Sequence, residues 1–181
     1  MVGALADGDL YAVRVSAANV PATPVLVDAS GDTGFFTDAK FEPTSKAIAI
    51  AYHDFSSKQF KFYLSPQLQA GVMPEIIDTG VDPAKPGEVS FVGTDSAIVF
   101  NGTQVYAIYQ DATRGDLKLA RRGASWQVMM SPVTQGAVGF FADAVFTDGK
   151  IYASHARIHA KLVGGSEQVD NSLMLEQISG N

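Results

Sequence analysis

The chain has no cysteine, which excludes disulfide scaffolds, cysteine-zinc sites and thiol nucleophiles together. It is also short of positive charge, with 13 Lys and Arg against 19 Asp and Glu and a net charge of −6. The basic residues are scattered, and their densest group is Arg121-Arg122. Phosphate binding draws on clustered Lys and Arg, so nucleic acid is not an expected partner. An acidic surface likewise disfavours anionic membranes. No stretch approaches the ~20 apolar residues of a membrane span, so none is expected. The opening Met1-Val2-Gly3-Ala4-Leu5-Ala6-Asp7 offers neither a basic region nor a long apolar run, and no signal peptide is read there. The compartment stays open on these grounds. Glutamate is scarce as well, at 5 against 14 Asp, beside 17 Gly. Asp and Gly form turns whereas Glu favours helix, so many short strands joined by tight turns are expected. No segment holds a helical period. Also missing are a G-x-S-x-G nucleophile turn and a glycine loop that would cradle phosphate.

What is present is enough for one folded domain. The 181 residues are 46% hydrophobic and 18% charged, which excludes intrinsic disorder. Self-similarity organises them. Asp143-Ala144-Val145-Phe146-Thr147-Asp148-Gly149-Lys150-Ile151-Tyr152-Ala153 parallels Ser96-Ala97-Ile98-Val99-Phe100-Asn101-Gly102-Thr103-Gln104-Val105-Tyr106-Ala107. Each reads as an apolar strand, an Asp-Gly or Asn-Gly turn of type I′, and a strand carrying Tyr-Ala. Gly3 to Ala12 reads as a clipped copy of that hairpin, and Asp38 to Ala49 as a copy turned by Pro43-Thr44-Ser45. The anchoring alanines 4, 39, 97 and 144 are spaced by 35, 58 and 47 residues.

A second hairpin follows the first. Ile48 to Asp54 turns into Gln59 to Leu64, and Val105 to Asp111 turns into Asp116 to Arg121. Phe60-Lys61-Phe62 and Leu117-Lys118-Leu119 alternate with period two, one face buried and one wet. Outer strands are read at Pro24 to Asp28, Pro74 to Asp78, Trp126 to Met130 and Ser172 to Ile178. Arg157 to Val169 reads equally as strand or as long loop. The expected fold is all-β, a β-propeller of about four antiparallel blades at 1–31, 32–80, 81–136 and 137–181. The first blade is short.

The stretch Tyr109-Gln110-Asp111-Ala112-Thr113-Arg114-Gly115-Asp116-Leu117-Lys118-Leu119-Ala120, closing on Ser125-Trp126-Gln127, resembles the repeat of bacterial sialidase-like (BNR-like) propellers. The resemblance implies a propeller and favours an extracellular or cell-surface setting, without implying hydrolase activity. The Asp box S-x-D-x-G-x-T-W is not spelled anywhere, and the few arginines, Arg14, Arg114, Arg121, Arg122 and Arg157, give little material for a sialidase triad. Asp38-Ala39-Lys40-Phe41 and Asp143-Ala144-Val145-Phe146 also resemble the blade openings of four-bladed hemopexin-like domains. The Cys pair and aromatic strand ending usual there are absent.

The expected function is a non-catalytic binding or scaffold module that holds a protein or a glycan through a face or central channel. The alternative is a degenerate glycoside hydrolase with its site at the channel mouth. Asp38 and Asp143, with Asp95 near the matching place, would face the channel and ring a calcium ion, or simply cap loop amides. No other cofactor is expected. The Phe pairs that precede them, Phe35-Phe36 and Phe140-Phe141, are expected between blades. His155 and His159 have an i, i+4 spacing, but on a strand, where a surface or hydrogen-bonded role is the default. His155, with Arg157, is kept as a ligand candidate. Trp126 is either blade core or a sugar platform. Asp54 and Asp111 are expected to cap turns. A run of four blades with a clipped start is expected to leave an open ring. Either a second copy or a different chain would complete it; a closed four-bladed ring is the competing outcome.

Overall fold

A computed structural model describes residues 2–4, 8–85, 87–129 and 131–178. Among the described residues there is no helix, and 14 strands form four antiparallel sheets. Sheet I holds β1 (Val2–Ala4), β2 (Leu10–Ala12) and β3 (Val25–Asp28). Sheet II holds β4 (Thr33–Phe41), β5 (Ile48–Asp54), β6 (Gln59–Ser65) and β7 (Glu75–Asp78). Sheet III holds β8 (Val92–Asn101), β9 (Gln104–Asp111), β10 (Asp116–Arg122) and β11 (Trp126–Val128). Sheet IV holds β12 (Ala137–Thr147), β13 (Lys150–Val163) and β14 (Ser166–Ile178). Within each sheet every strand pairs with its neighbour in sequence. Arg157 to Val169 is therefore strand on both sides of a tight turn at Gly164-Gly165.

The sheets stack in chain order. Leu10, Ala12 and Val27 of sheet I pack on Ile50, Tyr52 and Tyr63 of sheet II. Ala49, Ala51, Phe60, Phe62 and Ile77 on the other face of sheet II meet Ile98, Ala107, Tyr109 and Ala120 of sheet III. Ile108, Leu117 and Leu119 of sheet III then meet Val138, Ile151, Ala153 and Ile178 of sheet IV. Sheets II and III thus have a rear face toward the preceding sheet and a front face toward the following one, with alternate residues of each strand assigned to one or the other; the same two faces are named rear and front in sheets I and IV.

Registers fix the equivalences between sheets. Phe35, Thr94 and Phe140 face His53, Gln110 and Ala156 across their hairpins. Gly34, Gly93 and Gly139 are therefore aligned, and all three have positive φ, at 92°, 85° and 89°. A side chain at Gly93 would lie 2.3 Å from Phe60 of sheet II, and one at Gly34 would lie 2.9 Å from Leu10 of sheet I. Glycine lets each first strand approach the preceding sheet closely.

Two expected alignments shift. Leu10 pairs with Asp28 as Phe60 pairs with Asp78, so β1 and β2 match the second hairpin of a repeat, not the first. Gly8-Asp9-Leu10 is the counterpart of Gly115-Asp116-Leu117, and both Gly8 and Gly115 accept a backbone hydrogen bond from the next sheet, from Thr33 and Val138. In the other case, Asn101 pairs with Gln104 as Thr147 pairs with Lys150. Asn101 is therefore a strand residue, and Gly102 is the first turn residue, with φ 58°. Asp148-Gly149 has φ 50° and 74°, the paired positive angles of a type I′ turn. Lining up the turn dipeptides thus slips sheet III by one residue, and Ala97 matches Asp38 and Asp143 while Ile98 matches Ala39 and Ala144.

Candidate functional site

The first strands of sheets II, III and IV share a β-bulge. Pairing slips between Phe35 and Asp38, between Thr94 and Ala97, and between Phe140 and Asp143. The aligned bulge residues Phe36, Asp95 and Phe141 have φ of 52°, 46° and 53°, a conformation that bulky side chains rarely adopt. A bulge re-aims side chains, and here it turns Phe36 and Phe141 outward. Phe35, Phe36 and Phe141 are exposed, so these Phe pairs are not blade core as expected. Phe35, Phe55 and Phe91 gather around buried His53 instead, with His53 and Phe91 rings 4.0 Å apart.

The three candidate aspartates occupy two registers. Asp95 belongs with the bulge residues, whereas Asp38 and Asp143 are aligned with each other. Asp38 accepts a hydrogen bond from the Ile98 amide at 2.6 Å, capping the neighbouring first strand. Asp143 accepts from the Ala144 amide at 2.8 Å. Lys40 lies between the two carboxylates, its Nζ 3.5 Å from each, and donates to the Ile98 carbonyl at 3.0 Å. Calcium takes six to eight oxygens. Two carboxylates with an ammonium between them do not fit it, and no group of three or more His, Asp or Glu side chains converges among the described residues.

Trp126 lies edge-on to Phe62 at 5.1 Å and donates its indole N–H to Glu75 at 2.9 Å. Arg122 forks onto the same carboxylate; with burial opposing, its hydrogen bonds still hold Glu75 below the usual carboxylate range. Trp126 is thus an inter-sheet packing residue with its polar atom satisfied. His155 is buried, with Nδ1 3.3 Å from the Gly139 amide and no partner for Nε2. Arg157 lines a shallow recess with Gln135, Gly136 and His159. The arginines do not converge: Arg114 pairs with Asp82, Arg122 with Glu75, and Arg121 with Gln127. A cleft of ≈ 550 Å³ between sheets II and III holds Asp78, Lys118, Asp82 and Arg114, charges already paired with one another. Asp54 and Asp111 do accept turn amides, from Ser57 and from Thr113 and Arg114.

Sequence reading missed the most distinctive feature, which is the front face of sheet IV. Front positions on the third strands align as Leu10, Phe60, Leu117 and Leu173, then as Ala12, Phe62, Leu119 and Leu175. In sheets II and III these side chains are at most 2% exposed, yet Leu173 is 84% and Leu175 is 73% exposed. Phe141, Val145, Ile158, Leu162 and Val169 are exposed with them. Contiguous exposed apolar area of this kind marks an interaction site. The alternation Leu173-Met174-Leu175 carried the signal, but only the stacking order shows which member faces outward.

The chain matches no known family model and no curated protein. Shown here is an all-β chain of four antiparallel sheets, with no helix among the described residues long and apolar enough to cross a membrane.

Proposed function

We propose that this chain is a non-catalytic binding or scaffold module, a run of propeller-like blades that engages a protein partner through the front face of sheet IV. The observation that carries the reading is the exposure of Leu173 and Leu175 at positions that are buried by a following sheet everywhere else. Burying a leucine side chain is worth about 1.5–3 kcal/mol, so covering this face supplies a strong drive for association. Asp143 supports the same reading, because its counterpart Asp38 caps the first strand of the sheet that follows it. A protein fits better than a glycan. Apart from Phe141 the exposed groups are aliphatic, and Trp126, the only tryptophan, is packed on Phe62.

The test uses the apolar dye 8-anilinonaphthalene-1-sulfonate on dilute protein. Dye fluorescence should rise with the wild type and fall several-fold in the Leu173→Glu/Leu175→Glu variant, whose Tm should match that of the wild type at dilutions where both are monomeric, because both residues are exposed within one chain. Equal dye binding by the two proteins sinks the reading.

A further inference from the structure

The apolar face does not stop where sheet IV stops. The last pairing between β12 and β13 is Ala137 with Ile158, whereas β13 and β14 continue pairing to Val163 and Ser166. Residues beyond this point form a two-stranded arm without a third strand. Gly164 and Gly165, with φ of 60° and 84°, close it with a turn whose twist suits the flanking strands. Strand periodicity sorts its side chains cleanly. From base to tip the front face carries Lys150, then the rungs Tyr152/Gln177, Ser154/Leu175, Ala156/Leu173, Ile158/Asn171, Ala160/Val169 and Leu162/Glu167. The rear face beyond His155/Met174 is polar, with Arg157/Ser172, His159/Asp170 and Lys161/Gln168; Lys161 and Asp170 form an ion pair there at 2.8 Å. Every rung of the front stripe thus carries at least one apolar side chain along about 33 Å, at ~3.3 Å per residue, with Gln177, Ser154 and Asn171 interspersed, a cation at the base and a carboxylate at the tip.

We propose that a second copy of this chain covers the stripe, the two β13–β14 ribbons packing front to front and antiparallel about a two-fold axis near Ala156. This rests on the reading of the front face as a protein-binding surface and names the occupant. The charges specify the arrangement. Antiparallel ribbons place Lys150 of one copy over the Leu162/Glu167 rung of the other, at both ends by symmetry. Parallel ribbons would set Lys150 on Lys150 and Glu167 on Glu167. Length also selects this occupant over a head-to-tail ring. Sheet I, which a ring would bring against sheet IV, has strands of only three to four residues, far short of the stripe. A lone two-stranded ribbon is at best marginally stable in water, and face-to-face packing at about 10 Å gives the arm the second layer it lacks. Two-fold self-complementary contacts are the commonest form of homo-oligomer.

Light scattering after size exclusion tests the proposal on the full chain. The wild type should elute at twice 19.2 kDa at micromolar concentration, and Leu173→Glu should leave it monomeric with the strand spectrum of its four sheets largely retained. Lys150→Glu alone and Glu167→Lys alone should each weaken the dimer about tenfold, since both symmetric ends become like-charged. Mixing those two variants should restore dimers, because each then offers the other opposite charges. A wild type that stays monomeric while the dye still distinguishes Leu173→Glu/Leu175→Glu assigns the face to a different protein and overturns self-association alone. A dimer indifferent to Leu173→Glu, or single variants that no mixing restores, overturns the antiparallel stripe.

Discussion

The joint between sheets II and III and the joint between sheets III and IV are built on the same backbone from different chemistry. At the former, Asp78 accepts hydrogen bonds from Tyr109 at 2.8 Å and from Lys118 at 2.5 Å, all within a buried seam. Burial, reinforced by the adjacent carboxylate, pushes the Tyr109 phenol well above its ordinary pKa. The joint between sheets I and II repeats the device: Asp28 accepts from Tyr52 and Lys61, and Lys61 also pairs with Asp54. Burial opposes the ionised Asp28, but hydrogen bonds from Tyr52, Ser30 and Lys61 outweigh it and lower its pKa. At the joint between sheets III and IV the aligned residues are Val133, which pairs with Leu117 as Asp78 pairs with Phe60, and His155 and Met174. The polar triad has become apolar, and His155 keeps a buried nitrogen without a partner. One scaffold therefore tolerates either a charge-specified or an apolar seam, provided the front-to-rear packing of Leu117, Leu119 and their partners is kept.

The largest expected difference between the joints comes from removing the carboxylate. Asp78→Ala strands a buried ammonium and phenol, which should cost about 3–5 kcal/mol and lower Tm by about 10 °C or more. Val133→Ala, at the aligned place, should cost far less because no charge is left behind. Equal losses in thermal melts would show that the triad is decorative.

A smaller contrast lies in the aligned glycines. Gly93→Ala drives a Cβ to 2.3 Å from the Phe60 ring at a φ of +85°, whereas Gly139→Ala meets the Gln110 side chain at 3.1 Å. Both pay for the backbone angle, but only the first must also displace a packed ring. Urea melts should show Gly93→Ala losing about 3 kcal/mol and Gly139→Ala clearly less. The reverse order would mean that the joints differ in compliance, not in fit.

The smallest effect concerns pH. His53 Nδ1 donates to the Val92 carbonyl at 2.7 Å, leaving Nε2 buried without a partner. Gln110 makes the equivalent bond to the Val138 carbonyl at 2.7 Å with no titrating group. Burial lowers the His53 pKa, against the hydrogen bond to Val92 and the charge of Asp54. The unfolded chain therefore takes up a proton first as pH falls below about 6.5. That contribution to stability is complete above 6.5 and declines as pH falls toward the lower folded value. His53→Gln should keep the bond and flatten the stability profile between pH 6.5 and 5 by less than about 1 kcal/mol. An unchanged slope would remove His53 from the pH response.

Much of the strand plan was legible in particular residues. Ile48 to Asp54 and Gln59 to Leu64 match β5 and β6 to within one residue, because Phe60-Lys61-Phe62 alternates and Asp54 caps the turn. The opening hairpin was misaligned because Asp7-Gly8 resembles the Asp148-Gly149 turn. Its pairing of Leu10 with Asp28, the feature that identifies it, is not local. The Phe pairs were misplaced for a related reason. Apolar alternation assumes an unbroken pleat, and the bulge at Phe36 and Phe141 breaks it.

Composition and periodicity were sufficient for an all-β chain rich in turns, since Asp, Gly and two-residue alternation act over a few neighbouring residues. Which face of each sheet is covered depends on the order of stacking, and so do the inter-sheet triads, the Lys40 bridge between Asp38 and Asp143, and the exposure of Leu173 and Leu175. A one-residue change of register exchanges the two faces of a strand, and pairing across tens of residues sets that register. Local sequence carries both outcomes equally well, and only the folded arrangement of four sheets separates them.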